Sequence, residues 1–235
     1  MASFVLVPGA GGAAWYWSRV VPLLEAGGAN AVAVELPGDD PQAGLGDYVD
    51  RVVAAADGRP DVVLVGQSLG AFSASWAATQ VPAAGLIFVN GMIPVPGETP
   101  GEWWDATGQP AARRANEERE ERDPDAPFDL VTAFLHDVPS EVVAEGEAHQ
   151  RDEADAVFGS PWAVEAWPDL PIRVVAGAAD RFFPLEFQQR VAAERLGVDV
   201  EVVPGGHLCA LSRPEELSDI LLAAALTWTR QPSAE

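Results

Sequence analysis

The feature that most constrains this chain is an alternation of short, uninterrupted apolar runs with longer amphipathic ones. FVLV (Phe4 to Val7), AVAVEL (Ala31 to Leu36), DVVLVG (Asp61 to Gly66), GLIFVNG (Gly85 to Gly91), IRVVAG (Ile172 to Gly177) and VDVEVV (Val198 to Val203) read as strands. Most are continuous rather than strictly alternating, the pattern of strands buried on both faces of a parallel sheet. Between them, Trp15 to Ala26, Leu45 to Ala56, Leu69 to Gln80, Leu185 to Leu196 and Pro214 to Thr229 read as helices. Strand, helix and strand repeated in this way imply right-handed crossovers and a doubly wound, mostly parallel α/β sheet of about six strands.

The alternation breaks once. From Met92 to Pro168 there is no convincing strand pattern; the segment is rich in Pro, Trp and charge, including ARRANEEREERDPDAP (Ala112 to Pro127). A structureless loop of that length is uncommon in a compact domain, so a helical cap lying over one edge of the sheet is expected. The domain organisation expected is therefore a core over residues 1–91 and 169–235, with the cap over 92–168. The run NEEREER reads as a solvated helix face or a mobile piece.

Composition narrows the classes of partner. The net charge of −22, from 14 basic and 36 acidic residues, disfavours nucleic acid and anionic membrane surfaces, since both require clustered basic side chains. Every basic side chain apart from histidine is Arg. The single cysteine, Cys209, excludes an intramolecular disulfide and a thiolate metal cluster. It reads as a small buried hydrophobe. No His, Asp or Glu spacing resembles a metal site, and no phosphate loop or dinucleotide fingerprint is present, so neither metal nor cofactor is expected. The start, MASFVLVPGAGG, lacks the basic region of a signal peptide, and no apolar run is long enough for a membrane span. A soluble cytoplasmic protein, monomer or homodimer, acting on a small molecule is expected.

In open α/β sheets function gathers at the carboxyl ends of the strands. After the first strand comes PGAGGAAW, a glycine-rich turn opening a helix. After the third comes GQSLG, after the fifth GAADRFFP, and after the sixth PGGHLCAL. Ser68, Asp180 and His207 thus fall at one end of the sheet, in that order. A serine hydroxyl becomes a competent nucleophile only when a neighbouring base takes its proton. In G-x-S-x-G a strained turn exposes the serine, and small flanking residues let strand and helix approach, the need met by Gly66 and Gly70. His207 is the candidate base and acid, and Asp180 the group that fixes its tautomer. The backbone N–H groups of Ala10 and Leu69 are the candidate oxyanion donors.

Together these motifs carry a resemblance. The chain resembles the α/β-hydrolases, and its opening, FVLVPGAGGAAWYWSRVVPLLEAGG with AVAVELPG, is similar to the branch of plant methylesterases, hydroxynitrile lyases and their bacterial relatives. GAADRFFPLEFQQRVA and PGGHLCALSRPEELSDIL extend the resemblance beyond the insertion. It implies an α/β-hydrolase fold, with the family's serine, acid and histidine at Ser68, Asp180 and His207 and its oxyanion donors at Ala10 and Leu69. The cap matches in position and length rather than in residues. One departure is plain: where the family usually has His-Gly after the first strand, this chain has Pro8-Gly9. Altered loop packing and access are expected there, with the chemistry intact.

Other candidates are weaker. Gly9, Trp103, Trp104, Phe134, His136 and Phe182 are candidate substrate-lining residues. For any one aromatic the alternative is core packing, and for His136 a helix-terminal hydrogen bond. His149, within EGEAHQRDE, reads as solvent-exposed. The expected function is hydrolysis of a small, neutral, rather hydrophobic carboxylic ester (or an amide, thioester or lactone) through an acyl-enzyme. Two alternatives stand beside it. One is a non-catalytic binder or sensor on the same scaffold, against which an intact triad argues. The other is a hydroxynitrile-lyase-type carbon–carbon lyase; the plant lyases carry a cap lysine and a threonine where this chain has Gly9, and this chain has no lysine.

Overall fold

The computed structural model describes residues 1–228. Its six strands are β1 (Ser3–Val7), β2 (Asn30–Ala33), β3 (Val62–Gln67), β4 (Ala83–Val89), β5 (Ile172–Gly177) and β6 (Val200–Val203). They form one sheet in the order β2-β1-β3-β4-β5-β6, with every neighbouring pair parallel. The order reverses between β1 and β3. The connections leaving those two adjacent strands run in opposite directions, and a crevice opens at their carboxyl ends.

The continuous apolar runs have the cause expected of them. Along β1, Phe4 and Leu6 pack on one face with Ile87, Leu217 and Leu221, whereas Val5 and Val7 pack on the other with Phe72, Leu86 and Phe187. Successive side chains alternate between two apolar layers, so no polar position is needed. On one face lie α1 (Val21–Ala26) and α10 (Pro214–Trp228); on the other, α2 (Leu45–Ala56), α3 (Gly70–Ala77) and α8 (Leu185–Leu196). The ring of Trp228 lies so close to β4 that a Cβ on Gly85 would stand 2.2 Å from it.

Two helix expectations are corrected. The segment Trp15 to Ala26 is not one helix: a 3-10 turn at Ala14–Trp17 precedes α1. Pro22, which has no N–H, fits the first turn of α1 but would break a helix begun at Trp15. The helix expected from Leu69 is shorter, with Leu69 as its N-cap residue and turns replacing its last residues. Thr229, the expected end of the C-terminal helix, lies outside the described residues.

Between β4 and β5 the chain carries α4 (Pro100–Thr107), α5 (Gln109–Arg119), a π turn at Val131–Leu135, α6 (Ser140–Gly146) and α7 (Asp155–Phe158). Thr99 starts α4 with a reciprocal cap: its Oγ1 accepts the Glu102 N–H at 3.1 Å, and the Glu102 carboxylate accepts the Thr99 N–H at 3.0 Å. The NEEREER run finishes α5 and is largely exposed. The α9 turn (Cys209–Ser212) follows β6. Among the described residues, no helix is long and apolar enough to cross a membrane.

Candidate active site

The end of β3 runs directly into Ser68, whose φ of +49° lies in the left-handed region. A non-glycine residue there carries backbone strain that the surroundings must hold in place. The flanking glycines are required by contact. A Cβ on Gly66 would lie 2.8 Å from the Cα of Ala71, and one on Gly70 would lie 2.2 Å from the Pro8 carbonyl oxygen. Small side chains thus let α3 press against the sheet while the turn lifts the serine hydroxyl to the crevice.

The loop after β6 delivers His207 to that hydroxyl, and the loop after β5 delivers Asp180 to His207. Nε2 of His207 lies 3.1 Å from Ser68 Oγ, and Nδ1 lies 2.8 Å from Asp180 Oδ2. All three residues are buried. The other carboxylate oxygen of Asp180 accepts the N–H groups of Phe182 and Phe183, each at 2.8 Å, and Gln188 Nε2 donates to Oδ2 at 3.3 Å. A carboxylate so fixed takes the proton on Nδ1 and leaves the Nε2 lone pair facing the serine.

The glycine-rich loop after β1 folds into a tight turn in which the Gly12 N–H donates to the Gly9 carbonyl at 3.0 Å. Gly11 stands at φ +84°, open to glycine alone at low cost. A Cβ on Gly9 would lie 2.9 Å from Ser68 Cβ, so this loop runs against the serine. The N–H groups of Ala10 in this turn and of Leu69 at the start of α3 are engaged by no other group among the described residues.

A ladder of rings leads inward from the surface. Phe128, 55% exposed, meets Phe134 and Phe182 at 6.0 and 6.1 Å between centroids. Phe134, Phe182 and Phe183 in turn stand 5.1, 5.4 and 4.8 Å from the His207 ring. Trp104, half-buried, backs Phe182 at 5.6 Å. Trp103 does not line the site. It is fully buried, donates its indole N–H to the Ile93 carbonyl at 3.0 Å and packs on Phe183 and Phe187, because a ring on the inner face of α4 meets α8 and not the crevice. His136 lies against the loop before His207, its Cε1 2.9 Å from where a Cβ on Gly206 would stand. Burial keeps its pKa below the usual histidine range. His149 is exposed and stacked on Trp15. A cavity of about 300 Å³ beside Phe128 is lined by Arg113, Arg122, Arg181, Thr132 and Ala133 among others. Each of its arginines pairs with Glu117 or Glu120 at 3.1 to 3.8 Å.

Several groups that build this site went unnoticed in the sequence. Asn90, fully buried just after β4, donates through Nδ2 to the carbonyls of Gly206 and His207 at 3.1 and 2.9 Å. Its Oδ1 accepts the Gly177 N–H at 2.7 Å and Gln188 Nε2 at 3.2 Å. One amide thus joins the loops that carry Asp180 and His207. The signal was available: Asn90 ends the apolar run of GLIFVNG, the same kind of position that marked Asp180 and His207. From the segment between β4 and β5, Asp137 accepts the Gly206 N–H at 2.7 Å, and Glu153 accepts the Gly11 N–H at 2.7 Å. Neither carboxylate stands out in a sequence with 36 acidic residues.

Comparison with known proteins agrees with this architecture. The model of the Alpha/beta hydrolase family matches residues 4–220. A pyrethroid hydrolase of Sphingobium wenxiniae is 29% identical over 245 residues, covering 94% of this chain and 86% of that protein. Methylesterase 3 of Arabidopsis thaliana is 34% identical over 122 residues, 46% of each chain. The crystal structure of a novel pyrethroid hydrolase superposes with a TM-score of 0.78 at 25% identity, covering 98% of this chain and all of the other. The chain belongs to the alpha/beta hydrolase family and is an enzyme of that family, similar to its pyrethroid hydrolases and plant methylesterases.

Proposed function

We propose that this protein hydrolyses a small, neutral, rather hydrophobic carboxylic ester through an acyl-enzyme on Ser68. The observation that carries this reading is the buried chain from Ser68 Oγ through His207 to Asp180, at 3.1 and 2.8 Å. Ser68 Oγ attacks the ester carbonyl as its proton passes to His207 Nε2, and Asp180 stabilises the imidazolium that forms. The tetrahedral oxyanion lies between the N–H groups of Ala10 and Leu69. Collapse expels the alkoxide, which takes the proton from His207, and water then repeats the sequence against the acyl group.

The substrate class follows from the walls. Phe128, Phe134 and Phe182 offer apolar surface on the way to the imidazole, and the cationic groups nearby are already paired. An overall charge of −22 repels a polyanion and favours loss of the carboxylate product. A relative named as a hydrolase and another named as a methylesterase support the reaction type. A monomer or homodimer working without cofactor in the cytoplasm completes the proposal.

The test is intact-mass analysis after treatment with a fluorophosphonate, on the wild type and on Ser68→Ala, alongside turnover of p-nitrophenyl acetate. One adduct on the wild type alone, with turnover lost in Ser68→Ala, is expected. Full activity in Ser68→Ala would sink the proposal.

A further inference from the structure

The oxyanion turn is held from outside by the segment between β4 and β5. Glu153 Oε2 accepts the Gly11 N–H at 2.7 Å, while Oε1 accepts the Tyr48 hydroxyl and the Ala154 N–H, the latter at 3.1 Å. Tyr48 is buried on α2, so the carboxylate is gripped by a group on a fixed element. The same stretch crowds both this turn and the loop after β2, to which Gly38 belongs. A Cβ on Gly11 would stand 3.2 Å from the Arg151 carbonyl oxygen, and one on Gly38 would stand 2.6 Å from that of Asp152. Arg151 also pairs with Glu35 and Asp39 in the loop after β2.

The turn needs such a restraint. With φ +84° at Gly11, its third residue, the Gly9–Gly12 turn has the geometry of type II. Types I and II differ by rotation of the central peptide, here Ala10–Gly11, and glycine at position 11 makes both forms accessible. The Gly11 N–H belongs to that peptide. An acceptor on it therefore selects the form in which the Gly11 N–H faces Glu153 and ties down the turn that carries Ala10, whose own N–H belongs to the preceding peptide and keeps its direction in either form. Burial raises the Glu153 carboxyl above its usual range and pushes the Tyr48 phenol up as well, the signature of a pair held together out of water.

We propose that Glu153 is a positioning residue for the oxyanion hole: it anchors the Gly9–Gly12 turn in place, so that the Ala10 N–H stays where it meets the developing oxyanion. This rests on the reading of Ser68 as nucleophile and Ala10 as donor. It makes the segment between β4 and β5 part of the rate machinery, beyond any part it plays in covering substrate.

Two variants of nearly equal volume separate this role from packing. Glu153→Gln keeps an acceptor for Gly11 and a donor for the Tyr48 oxygen; Glu153→Met keeps neither. With p-nitrophenyl acetate, Glu153→Gln is expected within about threefold of wild type in kcat, whereas Glu153→Met loses about 10- to 100-fold with KM changed by less than about threefold. Phenylboronic acid, whose tetrahedral serine adduct places an oxygen in the hole, should weaken in parallel with kcat. A folded Glu153→Met chain with kcat within about twofold of wild type would overturn the proposal, as would equal losses in both variants. Amide exchange of Gly11 in the wild type gives a readout independent of the variants: slowed exchange supports the bond to Glu153, and unprotected exchange overturns it. A wild type that neither turns over the ester nor takes a fluorophosphonate on Ser68 overturns the underlying reading and this one together. An active, labelled wild type beside an indifferent Glu153→Met overturns this one alone.

Discussion

The side-chain amide of Asn90 donates to the main-chain carbonyl of His207 at 2.9 Å, so the His207 imidazole hangs from the end of β4 as well as from its own loop. Asn90 itself sits at φ +45°, a region that asparagine tolerates better than most residues. Replacing it by alanine leaves the Gly177 N–H and two loop carbonyls without their buried partner. We expect Asn90→Ala to lose about 1–3 kcal/mol of stability by chemical denaturation and, in the chains still folded, to lower kcat more than it changes KM. Unchanged denaturation and kcat would show that the two loops hold their places without it.

Asp180 spends one oxygen on two backbone N–H groups and the other on His207. Asp180→Asn keeps the shape but puts a donor where Nδ1–H needs an acceptor, which favours the wrong tautomer. A loss of about 10³- to 10⁴-fold in kcat on p-nitrophenyl acetate is expected, with little change in the circular dichroism spectrum. A loss below about tenfold would mean that another group serves as the acid.

Gly66 is set by contact, since an added Cβ would meet Ala71 Cα and the Gly70 carbonyl oxygen at 2.8 Å. Both are backbone atoms that cannot swing away. Gly66→Ala should cost about 1–3 kcal/mol, a fall of roughly 2–12 °C in Tm for a chain of this size, and should displace Ser68 enough to reduce fluorophosphonate labelling. A variant that melts and labels like wild type would show that α3 can slide.

Burial pushes the Cys209 thiol up to about 12, so it is almost wholly protonated at neutral pH. A disulfide reagent should react with the native protein at least about 10³-fold more slowly than with the guanidine-unfolded chain, which should titrate one thiol. Rapid native reaction would mean that the α9 turn opens readily.

Glu153 supplies a pH signature. Its folded carboxyl is raised by burial, so the protonated form is favoured in the folded state. That contribution is complete below the ordinary carboxylate range and is lost as pH rises through the raised value. Glu153→Gln has no such dependence. Its Tm relative to wild type should therefore increase between about pH 5 and about pH 8, and a constant or shrinking difference would contradict the burial of this charge.

How much of this was legible in the sequence differs by the physics involved. The strands were plain because a sheet buried on both faces must be apolar at every position, and all six runs overlap the six strands. Ser68, Asp180 and His207 were legible as residues following those runs, and the structure brings Ser68 and Asp180 each within hydrogen-bonding distance of His207. Asn90 was legible by the same rule but carries no reactive group to draw attention. Glu153 and Asp137 had no such marker, since a carboxylate that holds a distant N–H reads like any surface acid until the chain closes on it. Trp103 and Trp104, adjacent in sequence, take different roles because neighbouring residues on a helix point about 100° apart, one toward α8 and one toward Phe182.

The packing of α10 bears on how the molecule is made. Leu217 and Leu221 of this helix cover the face of the sheet to which Phe4, Leu6, Val63 and Ile87 contribute, and Trp228 lies across Gly85. During synthesis, β1, β3 and β4 leave the ribosome well before the helix that shields them. For that interval the nascent chain presents a broad apolar sheet face to its surroundings, the kind of surface to which chaperones bind and along which unfinished chains aggregate. Truncation within α10 should therefore reduce the yield of soluble protein far more than its distance from Ser68 would imply.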